Sequence, residues 1–327
     1  MWAEVLVWII GFAVGLFVGT SLLFALFVTG SRLWTPGRGW GVGAASIAPV
    51  ALPCYVAALV AGIVLRAGAR AVAVPMLVIG VVGTALHLAW VLPSFTGGAH
   101  GVVAVRVMEA NLHYGEADPD EIAALAVRSR ADIVVLTELT PAEFARLKSL
   151  GFAERYPYEV GRPQPVRAGT VVFSRFALSD VRTLPISRGG IAAMVAAPTP
   201  FTLVAAHAGQ PFYPGYGWRD DITRLGRFMA TLHGARMLVG DLNASMDTSQ
   251  LRSLAHEGGL TDAARSAGSG WQPTWPGASG PVLWRALGGA AAIDHVLTSD
   301  ALAAVSTSTY RIHGTDHRAL VVRLAVR

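Results

Sequence analysis

Met237-Leu238-Val239-Gly240-Asp241-Leu242-Asn243-Ala244 is the stretch whose reading decides the fold. A short apolar run ends in a glycine, and an acid and an amide follow two residues apart. This is the form of a buried strand that delivers polar groups to a site at its C-terminal end. Side chains alternate across a strand, so Asp241 and Asn243 are expected on one side and Leu242 on the other. One water or phosphate oxygen can then be held by both. Asp, Asn and Gly also make ordinary turns, so the companions of this stretch carry the decision.

Those companions share its form. Val105 to Ala110 leads to Asn111, Ile133 to Thr137 leads to Glu138, and Leu203 to Ala206 leads to His207. Ile293-Asp294-His295-Val296-Leu297 places an acid and an imidazole inside an apolar run, and Gly314-Thr315-Asp316-His317 precedes the last one. Singly, each is an ordinary buried polar group or cap; six together point to one site at a sheet edge. Strands are expected at Val102–Met108, Ile133–Leu136, Thr170–Phe173, Ala192–Ala196, Phe201–Ala206, Met237–Val239, Ala292–Leu297 and Ala319–Leu324. Helices are expected near Asp120–Ser129, Pro141–Leu150 and Asp220–Leu232. Strands outnumber helices, which favours a layered α/β sandwich over a strict βαβ repeat.

The first third of the chain reads differently. Of 327 residues 53% are hydrophobic and mean hydropathy is +0.49, an excess concentrated before about residue 98. Val5–Val28, Val42–Leu65 and Ala71–Leu92 are each long enough to cross a bilayer as a helix. The first is longer than a signal-peptide core and has no basic segment before it. Pro49, Pro53 and Pro75 are tolerated in membrane helices, and Trp34, Trp40 and Trp90 stand where interfacial aromatics are expected. His87, near the end of the third span, is expected to be a packing residue. Pro93–Gly101 reads as a linker, giving a membrane region over 1–98 and a catalytic domain over 99–327. Arg66 and Arg70 on one side balance Arg32 and Arg38 on the other, so charge does not set the orientation.

Residues 1–98 hold four arginines and Glu4, which leaves 22 of 26 basic and 20 of 21 acidic residues for the remainder. That near-neutral balance, without a basic stripe, argues against a stable nucleic-acid complex. The single cysteine, Cys54, excludes an intramolecular disulfide.

The polar residue types suit hydrolysis of a phosphate ester or anhydride. Carboxylate and amide oxygens such as Glu138 and Asn111 match a hard cation, Mg²⁺ with Mn²⁺ as substitute; no Cys/His cluster with zinc spacing exists. Asp241 can orient or deprotonate water, with Asn243 fixing its position. His207 and His317 can donate to phosphate oxygens, with Asp294 orienting His317. Asp316 is a further metal-side or phosphate-side carboxylate. His113, His233, His256 and His313 lack a motif, His113 and Tyr114 being nearest to one. Tyr213, Tyr216 and Trp218 follow His207 in a Gly/Pro-rich loop that packs, lines the pocket mouth or leans on lipid.

In order, Asn111, Leu136-Thr137-Glu138, His207, Gly240-Asp241-Leu242-Asn243, Ile293 to Leu297 and Thr315-Asp316-His317 resemble the motif series of the endonuclease/exonuclease/phosphatase superfamily. Gly169 to Arg175 is similar to that family's central strand, and Pro273-Thr274-Trp275-Pro276 to its Thr-Trp substrate-side segment. The resemblance covers about residues 102–327. It implies a four-layer α/β sandwich of the DNase I-like kind and Mg²⁺ dependence. It further implies Glu138 as principal metal ligand, Asn111 and Asp316 beside it, substrate contacts at Thr274 and Trp275, a paired Asp294 and His317, and in-line attack on phosphorus. Where family members often carry paired prolines after the histidine, Ala208-Gly209-Gln210-Pro211 follows His207, so the substrate edge is expected to differ. Three spans before such a domain resemble the membrane-anchored actinobacterial branch that includes a teicoplanin-resistance protein. That implies an extracytoplasmic site acting on a phosphorylated lipid of cell-wall synthesis, such as undecaprenyl pyrophosphate. A membrane-bound nuclease, a sphingomyelinase-like phosphodiesterase and a non-catalytic scaffold are the alternatives.

Overall fold

The structure, a computed structural model, describes residues 2–326 except 35, 38, 99–100, 166, 214, 216 and 278–280. Arg38 and Tyr216, both singled out above, therefore lie outside the described residues. The chain opens with α1 (Trp2–Leu33), α2 (Trp40–Ser46), a 3-10 turn at Ala48–Val50, α3 (Ala51–Leu65) and α4 (Arg70–Val91). Three stretches, Trp8–Leu33, Ala48–Leu65 and Arg70–Ser94, are long and apolar enough to cross a membrane.

The second of these starts later than the Val42 expected from hydropathy. The helix breaks at Ile47, before Pro49, and α2 packs both in the bundle, through Ala44, and on the soluble layers, through Val42. Val42 is fully buried there with Leu184, Trp218 and Leu242. Elsewhere in the bundle small residues let helices close up: a Cβ on Gly83 would lie 2.2 Å from the Tyr55 ring. His87 is buried and its Nε2 lies 2.9 Å from Thr29 Oγ1, which in turn lies 2.6 Å from Tyr55 Oη. It is a packing residue, as expected.

The remainder is two six-stranded sheets face to face. The first runs β11 (Leu302–Arg311), β12 (Arg318–Val326), β1 (Val103–Asn111), β2 (Ile133–Thr137), β4 (Thr170–Ser174), β3 (Tyr158–Arg162). The second runs β5 (Leu178–Leu184), β6 (Gly190–Val195), β7 (Phe201–Ala206), β8 (Arg236–Asp241), β10 (Asp294–Thr298), β9 (Thr261–Asp262). Strand alternation sorts the core into layers. Val105, Val107, Val135, Val239 and Val296 fill the space between the sheets. Met108, Val134 and Phe173 face α5 (Pro119–Arg128), α6 (Pro141–Ser149) and α7 (Phe152–Arg155). Val204, Ala206 and Leu238 face α8 (Trp218–Thr231) and α9 (Ser249–Gly258). The result is the layered α/β sandwich expected from the strand pattern, with the four layers that the family resemblance implies.

Topology brings the polar ends together. β1 and β2 are parallel, with Asn111 beside Thr137; β7 and β8 are parallel and end at Ala206 and Asp241. β10 runs antiparallel to β8, so its first residue, Asp294, faces Asp241. β12 runs antiparallel to β1, so His317, just before it, reaches the same end. Gly240 makes this tight end possible: its φ is 138°, and a Cβ there would sit 2.0 Å from Ala206 O.

The helical region is bolted to the sandwich. Arg32 Nε lies 2.7 Å from Asp247 Oδ1, the Ser245 amide donates to Ser46 Oγ, and the Gly39 amide donates to Pro211 O. The expected linker is also tied down, Gly270 N donating to Ser94 O.

Candidate active site

Asp241 and Asp294 sit side by side at the strand ends, both almost fully buried. His317 stands over them: its Nδ1 lies 2.8 Å from Asp294 Oδ2, and its Nε2 is 3.9 Å from Asp241 Oδ2. The Thr315 hydroxyl fixes this approach, donating to Asn111 O and accepting from the His317 amide. Asn111 turns its amide Nδ2 to Asp241 Oδ2 at 2.9 Å. Glu138 completes the second side. Its Oε2 accepts from the Tyr114 amide, while Oε1 lies 3.2 Å from Arg188 Nη1 and 3.8 Å from His207 Nε2. His113, Tyr114, Glu138 and Asn243 all have left-handed backbones, four of the six non-glycine positions of that kind among the described residues. Strain concentrated this way is typical of functional sites.

Charge explains how these groups ionise. Burial and the neighbouring Asp294 push the Asp241 carboxyl up to about 7, against the pull of His317 and the hydrogen bonds of Asn243 and Asn111. Burial works against a proton on His317, but Asp294, Asp241 and Asp316 outweigh it and hold that imidazole well above its usual range. His207 goes the other way: full burial, then the positive Arg188, His317 and Arg167, hold it neutral. Burial raises Glu138 as well, with Arg188 the strongest opposing influence.

Of the residues named from sequence, Asn111, Glu138, His207, Asp241, Asp294 and His317 meet in this one cluster. Asp316 lies at its rim, 3.9 Å from His317 Nε2, and accepts from the Trp275 indole. Three placements differ from expectation. β8 ends at Asp241, so strand alternation does not carry to Asn243; that residue is left-handed, its amide caps Asp241 Oδ1 and its Nδ2 donates to Ala208 O. His207 is wholly buried and directed at Asp241 and Glu138, beneath the site. Thr274, expected at the substrate, instead accepts from the amides of Ile293 and Asp294 and so braces Asp294 from behind.

Two residues escaped the sequence reading. Arg188 is buried beside Glu138 and His207, and register would have found it: Gly190 pairs with Ala206, so the residues before β6 lie against those after β7. Glu109, two residues before Asn111 on the same strand face, is fully buried, and neither carboxylate oxygen has a hydrogen-bond partner. Burial, then Asp294 and Asp241, raise its pKa far above the ordinary carboxylate range.

A model of the endonuclease/exonuclease/phosphatase family matches residues 108–317, well over half of the chain. The chain belongs to that family. Among solved structures it resembles a family protein from Beutenbergia cavernae at 21% identity and TM-score 0.52, covering 69% of this chain and 72% of that one. It resembles a 3′ phosphatase from Neisseria, bound to a product DNA hairpin, at 21% identity and TM-score 0.56, covering 68% and 100%. Sphingomyelinase C from Streptomyces griseocarneus is similar at 18% identity and TM-score 0.52, over 68% and 99%. Such likenesses establish the fold alone. No curated protein matches the chain. Members of the family are phosphoesterase hydrolases that depend on a divalent metal.

The donor set fits such an ion. Glu109, Glu138, Asp241 and Asp294 gather four buried carboxylates, and the two oxygens of Glu109 are orphaned. Carboxylates buried this closely cannot all ionise without a compensating cation, as the raised pKa values of Glu109, Asp241 and Glu138 reflect. Asp241, Asp294 and His317 offer ligand atoms within 4.8 Å of one another. The Nδ1 of His317 is already taken by Asp294, however, which leaves the oxygens of the site as the better donors to a hard ion.

Proposed function

We propose that the chain is a multi-pass membrane phosphohydrolase that cleaves a phosphoester or pyrophosphate bond of a lipid-linked cell-wall intermediate such as undecaprenyl pyrophosphate. The observation that carries this reading is His317 clamped by Asp294 and facing Asp241, on a sandwich fixed directly to three apolar helices. In this reading Asp241, its pKa near neutrality, accepts the proton of the attacking water. That water forms the new bond to phosphorus as the bond to the leaving group breaks. His317, cationic and oriented by Asp294, donates to a phosphate oxygen as charge grows there. Glu138 and Asn111, with Asp316 at the rim, would hold Mg²⁺ or Mn²⁺, which would neutralise phosphoryl charge and stabilise the departing oxygen. Neutral His207 and the backbone-anchored Asn243 support Asp241 and Glu138 from below, and Trp275 borders the substrate. The catalytic domain lies on the extracytoplasmic side, as in the branch resembling the teicoplanin-resistance protein VanJ, and contributes to glycopeptide resistance by acting on that lipid pool.

The test is phosphate release by the purified full chain from undecaprenyl pyrophosphate, with DNA and sphingomyelin in parallel and with Mg²⁺, Mn²⁺ or chelator. The reading expects release from the polyprenyl substrate, lost with chelator and with Glu138→Gln or His317→Ala. Rapid DNA cleavage without phosphate release would overturn it. A reporter fused after Arg327 reads the sidedness. Sphingomyelin cleavage is the second reading, favoured by the same apolar helices beside a phosphodiesterase fold.

A further inference from the structure

A cavity of about 350 Å³ lies where the helical bundle meets the sandwich. It is lined by Arg32 and Trp90 in the last turns of α1 and α4, by Ser94 after them, and by Arg252, Arg265 and Trp271 of the sandwich. The rear wall is the start of β10, Asp294 and His295, exposed to the cavity because β9 pairs only with Leu297 and Thr298. Of the catalytic cluster only Asp294 borders this space, so it is separate from the mouth formed by Trp275 and Asp316.

The charges in the cavity are unevenly spent. Asp247 is engaged by Arg32. Asp262 accepts from the amides of Ala264 and Arg265 with Oδ1 and faces His295 Nδ1 with Oδ2. Arg252 donates to the backbone oxygens of Arg32 and Asp247. Arg265 remains: its guanidinium makes no hydrogen bond or ion pair among the described residues. The three carboxylates that line the cavity, Asp247, Asp262 and Asp294, thus all have partners, while the Arg265 guanidinium acts on Asp247 only through its field and keeps its donors. Trp271 and Met246 supply an apolar flank, and the Trp90 ring carries the Arg32 guanidinium 3.8 Å from its centroid.

We infer that this cavity binds the phosphate headgroup of an anionic bilayer lipid, held by Arg265 and Arg252, its acyl chains lying along the ends of α1 and α4. The inference rests on the reading that α1 and α4 cross the membrane, which sets their last turns at the hydrocarbon boundary. Arginine clusters at helix ends on that boundary are the usual means of holding anionic headgroups, and a guanidinium matches a phosphate with two parallel donors. Because Asp294 forms the rear wall, a bound lipid stiffens the strand start that positions His317.

The experiment places the full chain in nanodiscs of neutral phosphatidylcholine with increasing phosphatidylglycerol, or of phosphatidylcholine with added inorganic phosphate. Melting temperature is read first, then hydrolysis of the soluble diester bis(p-nitrophenyl) phosphate. The wild-type melting temperature is expected to rise and saturate with phosphatidylglycerol. Arg265→Gln should need about tenfold more of it, the effect of one charge-assisted bond. Ala264→Phe, which fills the cavity from an adjoining wall position, should abolish the response; both variants should match wild type in pure phosphatidylcholine. Equal lipid responses in all three proteins would overturn the inference. So would a rise produced by inorganic phosphate and lost in both variants, which would make the cavity a site for free phosphate. The melting readout needs no turnover, so it stands even where the diester is not cleaved and the catalytic reading fails.

Discussion

Arg188→Met tests the electrostatics of the site most directly. The Arg188–Glu138 pair is buried on both sides, with side chains only 3% and 6% exposed and 3.2 Å apart. Deleting one partner of such a pair typically costs 3–5 kcal/mol, because the other charge is left without compensation. Here the penalty has a ceiling, since Glu138 can escape by taking a proton. From the ordinary glutamate value of 4.5 to pH 7 that escape costs about 3.4 kcal/mol, at 1.36 kcal/mol per unit. Wild-type Glu138 is already raised by burial, so part of that cost precedes the substitution, and the expected loss in chelator at pH 7 is about 2 kcal/mol, or roughly 4–8 °C in melting temperature for a domain of this size. The sign with pH follows. In the variant the folded-state pKa of Glu138 rises further above the unfolded value, so its penalty is nearly absent at pH 4.5 and grows as pH rises. A divalent ion at Glu138 replaces the lost charge, so saturating Mg²⁺ should recover much of the loss. Thermal melts of the full chain in detergent, at pH 5 and 8, with chelator or Mg²⁺, measure all of this. A penalty that ignores both pH and Mg²⁺ would mean that Arg188 acts by packing alone.

Other perturbations separate the roles of neighbouring residues. Asp294→Asn keeps the shape but removes the charge that orients His317, and kcat should fall by roughly two to four powers of ten with KM little changed; an unchanged kcat would remove Asp294 from the mechanism. Thr274→Val strips the acceptor from the amides of Ile293 and Asp294, costing about 2 kcal/mol, and Thr274→Ser should restore it. A valine variant that melts with wild type would refute that bracing role. Glu143, buried with Oε1 unpartnered, is pushed up to about 7 by burial and by Asp118. Its folded pKa exceeds the unfolded value, so wild-type stability should fall as pH rises from about 4.5 through 7. Glu143→Gln should remove that fall, opening a gap on the order of 2 kcal/mol at pH 8 once partial solvent screening is allowed for. Equal denaturant midpoints for the two proteins at pH 8 would count against it.

Much of this architecture was legible because its strands are strongly apolar and end in chemistry. Strands β1, β2, β7 and β8 are buried on both faces, so they read as continuous apolar runs closed by Asn111, Glu138, His207 and Asp241. β3, β5 and β11 were not read, for a physical reason. β3 and β5 are edge strands with mostly exposed side chains, and β11 is rich in Ser and Thr, so periodicity had little apolar contrast to work on. α9 was missed because its helical stripe, Leu251, Leu254 and Ala255, is short. At the site, residue types announced the cluster, but direction was lost: hydropathy cannot show that β8 stops at Asp241, or that Thr274 faces backbone amides. Arg188 and Glu109 were hidden because a lone charge beside an apolar run reads as a strand boundary, and only register puts it inside.

The segment that follows Asp241 joins two functions in seven residues. Asn243 caps Asp241 by its own amide, Ser245 takes the hydroxyl of Ser46 through its backbone N–H, and Asp247 holds Arg32 at the end of α1. A loop pinned at both ends has little freedom to move the acid at its start. The helices therefore act as more than a leash that raises local concentration: their ends and the catalytic strand share one hydrogen-bonded segment. A flexible linker would permit the site to sample many heights above a bilayer, most of them unproductive for a phosphate fixed at the headgroup plane. Rigid attachment removes that search, and α2 serves it from both sides: Ala44 packs in the helical bundle with Ala25 and Tyr55, while Val42 is buried with Trp218 and with Leu242, the residue after Asp241.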